Sequence, residues 1–232
     1  MLTSHAGDVV FLFDVDNTLL DNDRFSAALD ARLTKVLGAE GKERYRKSYE
    51  TLRDERGYAD YLEPLQQIRQ PFVADPDLLH LSTFLLDFPF TGLVYPGALD
   101  TLAAMARIGT TVILSDGDVV LQPRKIQHSG LRDAVEGRVL LTVHKQRTLD
   151  AVQQAYPARH YVMVDDKPML LSDIKAALGD RVTTVFVRQG HYAASGMERG
   201  ALPPDVAIAT IKHLADLDLS LPALRTATQG LP

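Results

Sequence analysis

Cysteine is absent from this chain of 232 residues. Its absence excludes disulfides, thiolate-ligated metals and a cysteine nucleophile. A basic excess is missing too. The net charge is −5 and the pI near 5.8, which runs against the positive patch that nucleic-acid binding favours. No apolar run approaches the roughly 18 residues of a membrane span. The opening stretch, Met1 to Asp8, has neither a basic n-region nor an apolar h-region, so no secretory signal is visible and a cytoplasmic location is the expectation. Internal repeats and low-complexity tracts are lacking as well. What remains is an ordinary globular composition, 46% hydrophobic and 24% charged, able to bury a substantial core in one large domain or two small ones. With sulfur excluded, oxygen donors are the obvious metal ligands, and those suit a hard cation such as Mg²⁺.

The most informative stretch that is present runs from Phe11 to Leu20. An apolar run, Val9 to Phe13, reads as a buried parallel strand. It stops at Asp14 and Asp16, two carboxylates spaced i, i+2, with Thr18 two residues further on. A turn explains one acid there, but an acid pair and a threonine set between apolar residues call for a chemical reason. Open α/β sheets place their ligands at this end of their strands.

From about Asp21 to Pro89 the pattern is helical, with apolar stripes at Phe25, Leu29, Leu33, Val36 and Leu37 and again at Tyr45, Tyr49 and Leu52. Pro64, Pro71 and Pro76 punctuate it, and Leu78, Leu81, Leu85 and Leu86 predict a further helix. After Tyr95 the texture changes to strands alternating with short helices. Strands are expected at Thr110 to Leu114, Val139 to Val143, Tyr161 to Val164 and Val182 to Val187. Helices are expected over Ala98 to Arg107, Arg124 to His128, Arg147 to Ala155 and Pro168 to Leu178. The predicted fold class is therefore α/β: a Rossmann-like parallel sheet with helices on both faces, residues 1–20 and 92–232, interrupted by an all-helical cap, residues 21–91. The tail from about Ser220 is weakly patterned.

Three more strand ends carry polar groups: Ser115 and Asp116 after the second strand, His144 and Lys145 after the third, and Asp165 and Asp166 after the fourth. Each has a bland reading as a turn, cap or solvated residue. Together they converge, because a parallel sheet brings all its strand C-termini to one edge. Asp14, Asp16, Asp165 and Asp166 on one edge would repel unless a cation neutralised them. Mg²⁺ fits that role, and a serine hydroxyl with a lysine ammonium suits a phosphoryl group. The set reads as metal-assisted phosphoryl transfer.

On these residues the sequence resembles the haloacid dehalogenase-like (HAD) superfamily, specifically its phosphatase branch with a helical C1-type cap. Asp14-Val15-Asp16-Asn17-Thr18 matches the DxDxT first motif, Ser115 the second-motif Ser/Thr, Lys145 the third-motif lysine, and Asp165-Asp166 the double-acid fourth motif. The resemblance implies that Asp14 is the nucleophile, forming an aspartyl-phosphate, and that Asp16 is the general acid and then base. It implies that Thr18, Ser115, Asp116 and Lys145 hold the phosphate. It also implies that Asp14, the backbone carbonyl of Asp16 and Asp166 ligate Mg²⁺, with Asp165 close enough to help. The expected activity is Mg²⁺-dependent phosphatase action on a small phosphorylated metabolite, with no nucleic-acid or membrane partner. A phosphomutase of the β-phosphoglucomutase kind would use the same core residues, and a non-catalytic phospho-acceptor or binding module is the alternative from another class. A haloacid dehalogenase fits less well, because that branch lacks an acid at the Asp16 position.

Two positions depart from the family pattern: Asp116, where a neutral residue is common, and Leu170, where many members have another acid. His144 and His191 have no partner at metal-ligand spacing and read as structural or peripheral. Lys42 to Arg56 mixes six Lys/Arg with four Asp/Glu and reads as a solvated helix face. Its stripe of Tyr45, Tyr49 and Arg53 either packs the cap's own core or contacts the non-phosphate part of a substrate.

Overall fold

The structure, a computed structural model, describes residues 8–69, 76–194 and 200–219. The leader residues 1–7, Pro71 and the tail from Ser220 lie outside them. Strand β1 (Val9–Phe13) is buried along its whole length. Its alternate residues serve two separate cores, Val9, Phe11 and Phe13 on one face and Val10 and Leu12 on the other. That is why the run is bulky at every position rather than alternating with polar residues.

β1 lies inside a six-stranded parallel sheet of order β3-β2-β1-β4-β5-β6. The other strands are β2 (Thr110–Asp116), β3 (Val139–Thr142), β4 (His160–Asp165), β5 (Val182–Val187) and β6 (Val206–Ile208). Phe13 is in register with Ile113 of β2 and Val164 of β4, so Asp14, Ser115 and Asp165 leave the sheet on one edge. The order reverses direction at β1, and such a switch point opens a crevice for ligands. Helices α4 (Ala98–Met105), α5 (Leu121–His128), α6 (Leu131–Ala134), α7 (Leu149–Ala155) and α8 (Pro168–Leu178) connect the strands.

The insert after β1 is helical, made of α1 (Asn22–Arg56), α2 (Glu63–Ile68) and α3 (Pro76–Leu86). Helix α1 is not straight. Gly38, at φ 70°, turns the chain back, and a residue with a side chain would be strained there. The two arms then pack together: Arg46 on the second donates through Nε to Asp30 on the first at 2.7 Å and reaches Ser26. Phe25, Tyr61, Phe88 and Phe90 form an aromatic cluster at the base of the insert, with Phe25 5.1 to 5.3 Å from the other three ring centres. The chain leaves and re-enters the sheet layer side by side, where Leu20 bridges Val94 and Tyr95 N–H donates to the Leu19 carbonyl. Among the described residues no helix is long and apolar enough to cross a membrane.

The structure moves several expected boundaries. β2 continues through Ser115 and Asp116, because these two still pair with Leu141 and Thr142 of β3. α5 starts at Leu121 rather than Arg124, since the Asp118 carboxylate accepts from the N–H groups of Val120 and Leu121 and begins the helix early. A 3-10 turn, Lys145–Arg147, precedes α7, which starts at Leu149. β6, which the sequence does not announce, is held by Asp205, whose carboxylate accepts from Thr184 and Lys175.

Candidate active site

The loop after β1 is wound tightly. The N–H groups of Leu19 and Leu20 both donate to the Val15 carbonyl at 2.9 Å, and Asn17 adopts a left-handed conformation with φ 60°. Asparagine tolerates that conformation better than most residues. Here its side chain also caps α1, Oδ1 accepting from the N–H groups of Asn22 and Asp23. The turn thus ties the acid-bearing loop to the first turn of the insert. Thr18, read from the sequence as a phosphate contact, is fully buried in this turn with its Oγ1 unpartnered; like Asp14, Ser115 and Lys145, it lies behind the walls of the cavity described below.

Lys145 lies at the centre of the edge. Its ammonium is wholly buried and donates to Asp14 Oδ1 at 2.5 Å, Asp165 Oδ2 at 2.8 Å and the Leu114 carbonyl at 3.3 Å. Burial disfavours its charge, but Asp14 and Asp165 outweigh that and hold its pKa well above the usual lysine value. The backbone that carries Lys145 is itself fixed. Asp116 Oδ1 accepts from Lys145 N–H at 3.0 Å and from Thr142 Oγ1 at 2.7 Å, and His144 turns the chain with φ 58°. This accounts for the acid after Ser115: much of its hydrogen bonding goes to the lysine's own turn. Ser115 is buried, and its Oγ accepts from Gln122 Nε2 at 2.9 Å.

Asp14, Asp165 and Asp166 each offer a carboxylate oxygen within 4.8 Å of the others. The two acids after β4 differ sharply. Asp165 is committed on both oxygens, to Lys145 and to the N–H of Lys167 at 2.9 Å. Neither oxygen of Asp166 has a hydrogen-bond partner, nor does Oδ2 of Asp14, although all three are buried. Buried carboxylate oxygens without donors are costly, and a divalent cation is the partner that three converging acids fit. Asp14 and Asp166 are therefore the better-placed ligands, and Asp165 the anchor of the lysine.

Burial, then the charges of Asp165 and Asp14, push the Asp166 carboxyl up to about 9; burial and Asp14 also raise Asp165, against the pull of Lys145. An acid whose pKa is raised on folding binds more protons in the native state, so stability falls as pH climbs from the unfolded value of about 3.9 towards 9. A cation must displace that proton to bind. Mg²⁺ is accordingly expected to raise the melting temperature more at pH 8.5 than at pH 6. A shift that is flat or inverted with pH would contradict the assignment of Asp166 as a ligand.

Asp16 points away from this cluster, towards the insert. Both its oxygens accept from the ammonium of Lys125 on α5, at 2.7 and 3.0 Å. It lines a cavity of about 740 Å³ between the sheet edge and the insert, whose walls include Asp116, Asp166 and Lys167 on one side and Tyr49 and Arg53 on the other. Of the cap stripe, Tyr45 is core, its hydroxyl donating to the Tyr61 carbonyl, while Tyr49 and Arg53 reach the cavity. Of the two histidines noted in the sequence, one reaches the cavity and the other packs behind Gly57 in its wall. His191 lines the cavity, with Nδ1 2.7 Å from Asp23 Oδ1. His144 packs its ring against Gly57, the left-handed residue ending α1, so closely that a Cβ there would lie 2.1 Å from it.

Lys125 and Lys167 went unread in the sequence. Lys125 had a signal: it shares a buried helical face with Leu121, Gln122 and Ile126, an unusual place for a lysine. Lys167 had none, since a charge before a helix is unremarkable.

A family model described as haloacid dehalogenase-like hydrolase matches residues 9–179. No curated protein matches. Among solved structures, a haloacid dehalogenase-like hydrolase from Burkholderia xenovorans LB400 is 55% identical, covering 91% of this chain and 99% of its own, with TM-score 0.85. L-2-haloacid dehalogenase from Xanthobacter autotrophicus shares the fold at 17% identity, TM-score 0.60, covering 92% and 98%. The HAD-hydrolase YfnB from Bacillus subtilis, solved bound to magnesium, does so at 16% identity, TM-score 0.64, covering 90% and 97%.

Proposed function

Because the chain belongs to the haloacid dehalogenase-like hydrolases, we propose that its carboxylate edge hydrolyses the phosphate monoester of a small molecule, in the presence of Mg²⁺. The observation that carries this reading is Asp16, a second carboxylate held at the cavity wall. A halide leaves without a proton, so the displacement step of a dehalogenation needs no acid there. An alkoxide leaving from phosphorus does need one. The donor-free oxygens of Asp14 and Asp166 support the same reading, since they leave room for a cation that offsets an incoming phosphate's charge.

The residues divide the work as follows. Lys145 holds the Asp14 carboxylate in place through Oδ1, and Asp14 attacks phosphorus as the bond to the leaving oxygen breaks. Asp16 gives that oxygen its proton. Water then attacks the phosphorus of the aspartyl-phosphate, Asp16 takes the water's proton, and Asp14 is restored with release of inorganic phosphate. Ser115, whose Oγ already accepts from Gln122, keeps its own proton to donate to a phosphoryl oxygen. Bound between Asp14, Asp166 and the Asp16 carbonyl, Mg²⁺ would supply charge neutralisation and polarise the phosphoryl group. The insert, residues 21–91, acts as the cap over the site, and the cavity's volume suits a small metabolite.

The test is a panel of phosphate monoesters beside 2-chloropropionate, each with Mg²⁺ and with EDTA. Phosphate release that EDTA abolishes is expected; chloride release without phosphate release would overturn the reading. Asp16→Asn is expected to lower kcat on an alkyl phosphate by about 10²–10⁴-fold, and a near-wild-type rate would remove Asp16 as the proton carrier.

A further inference from the structure

We propose that Lys125 is a positioning residue that locks the Asp16 carboxylate to the base of the insert, so that proton transfer works only while the first turn of α1 and Tyr61 stay packed on α5. The inference rests on the phosphatase reading above.

The ammonium of Lys125 has three protons and three acceptors. Two are the oxygens of Asp16, and the third is Asn22 Oδ1 at 2.9 Å, on the first turn of α1. None remains for a substrate, which rules out a direct binding role and leaves an orienting one. Burying an ammonium completely is expensive, and a core position next to Leu121 and Ile126 could be filled by an apolar side chain at less cost. The aromatic rings around it ease that cost from the insert's side: Nζ lies 5.5 Å from the centre of the Phe25 ring and 5.7 Å from that of Tyr61. Asn22 in turn donates through Nδ2 to the Tyr61 hydroxyl at 3.4 Å, and its N–H donates to Asn17 Oδ1.

These contacts make a continuous path from the insert to the reacting edge. Tyr61 and Phe25 belong to the insert, Lys125 to α5 and Asp16 to the loop after β1. Because one ammonium grips both Asp16 oxygens, it fixes the rotation of the carboxylate as well as its place. Any displacement of the first turn of α1 removes Asn22 and Phe25 from Lys125 together. The lysine then has two acceptors for three protons and loses a ring, and Asp16 loses its fixed direction. Placing a proton donor is sensitive to shifts of about 1 Å, so this arrangement makes chemistry conditional on a seated insert.

The experiment compares Lys125→Met, Lys125→Arg and Asn22→Ala with wild type on two substrates. One is p-nitrophenyl phosphate, whose leaving group departs without a proton; the other is an alkyl phosphate that the wild type turns over. In single-turnover phosphorylation of Asp14, Lys125→Met is expected to slow the alkyl ester by about 10²-fold, with little change in half-saturation, and the aryl ester by less than tenfold. The later attack of water on the aspartyl-phosphate is common to both esters and slows alike. Lys125→Arg should recover part of the loss, and Asn22→Ala should show the same substrate bias at smaller size. Added to Asp16→Asn, Lys125→Met should cause no further loss, because residues acting as one unit are not additive. Equal losses on both esters in the phosphorylation step, or a further loss in the Asp16→Asn background, would overturn the proposal and leave the phosphatase reading intact. If Lys125→Met does not fold, the substrate bias of Lys125→Arg and Asn22→Ala decides. A wild-type protein inert on every phosphate ester overturns both.

Discussion

Asp14→Asn protein is expected to fold and to have no measurable turnover. The amide keeps an oxygen that can accept from Lys145, so the buried network survives in outline, and one of three converging carboxylates loses its charge. Relief of that repulsion is expected to leave the melting temperature unchanged or higher in the metal-free protein. The amide has no anionic oxygen with which to form an aspartyl-phosphate, and its neighbours are otherwise engaged: both oxygens of Asp165 are bound elsewhere, Asp16 is held by Lys125, and Asp166 is proposed to hold the cation. Steady-state assay together with intact mass after substrate addition checks the result. A phosphorylated Asp14→Asn protein, or appreciable kcat in a sample shown by mass to be free of deamidation, would remove Asp14 as the nucleophile.

Lys145→Met is expected to harm stability and activity together. Its ammonium is the only cation donating hydrogen bonds to Asp14 and Asp165 among the described residues. Removing one partner of a buried ionic network typically costs about 3–5 kcal/mol, which for a protein of this length corresponds to a fall in melting temperature on the order of 10 °C. The loss depends on pH. Asp165 and Asp166 both have pKa values raised by burial, so acid conditions neutralise them and should restore part of the stability, whereas alkaline conditions should deepen the loss. Lys145, whose own pKa is raised, contributes its stability throughout the neutral range and loses it only above the ordinary lysine value. Urea melts at pH 5.5 and pH 8 check the sign. Mg²⁺ should also narrow the gap, because it brings positive charge to the same oxygens. A variant as stable as wild type at pH 8 would mean the three carboxylates do not need their lysine.

Much of this was legible in the sequence, and the reasons are specific. Val9 to Phe13 could be placed as a central strand because a segment apolar at every position must be covered on both faces. From that placement, and the rule that parallel strands share a C-terminal edge, the grouping of Asp14 with Lys145, 131 residues later, followed without coordinates. What the sequence withheld depends on pairings between side chains. Asp116 stands out in the sequence only as an acid where the family commonly has a neutral residue, and it takes the register of β2 against β3 to give its carboxylate to the backbone of Lys145. The proposed preference for Asp166 over Asp165 as metal ligand likewise rests on which oxygens have donors. Lys125 was passed over because its partners come from three separate parts of the chain. The three-residue edge strand β6 is too short for its own periodicity to register.

The reversal at Gly38 divides the insert's labour by distance. Ser26 and Asp30 from one arm and Arg46, Tyr49 and Arg53 from the other reach the cavity wall, while the bend joining them has nothing within 4 Å of where a Cβ would stand. The cavity therefore sits at the root of a two-armed lever, and Gly38 at the tip does not line it. A label or tether attached at exposed Glu40, beside Gly38 rather than in its place, is expected to leave every cavity-lining residue unaltered.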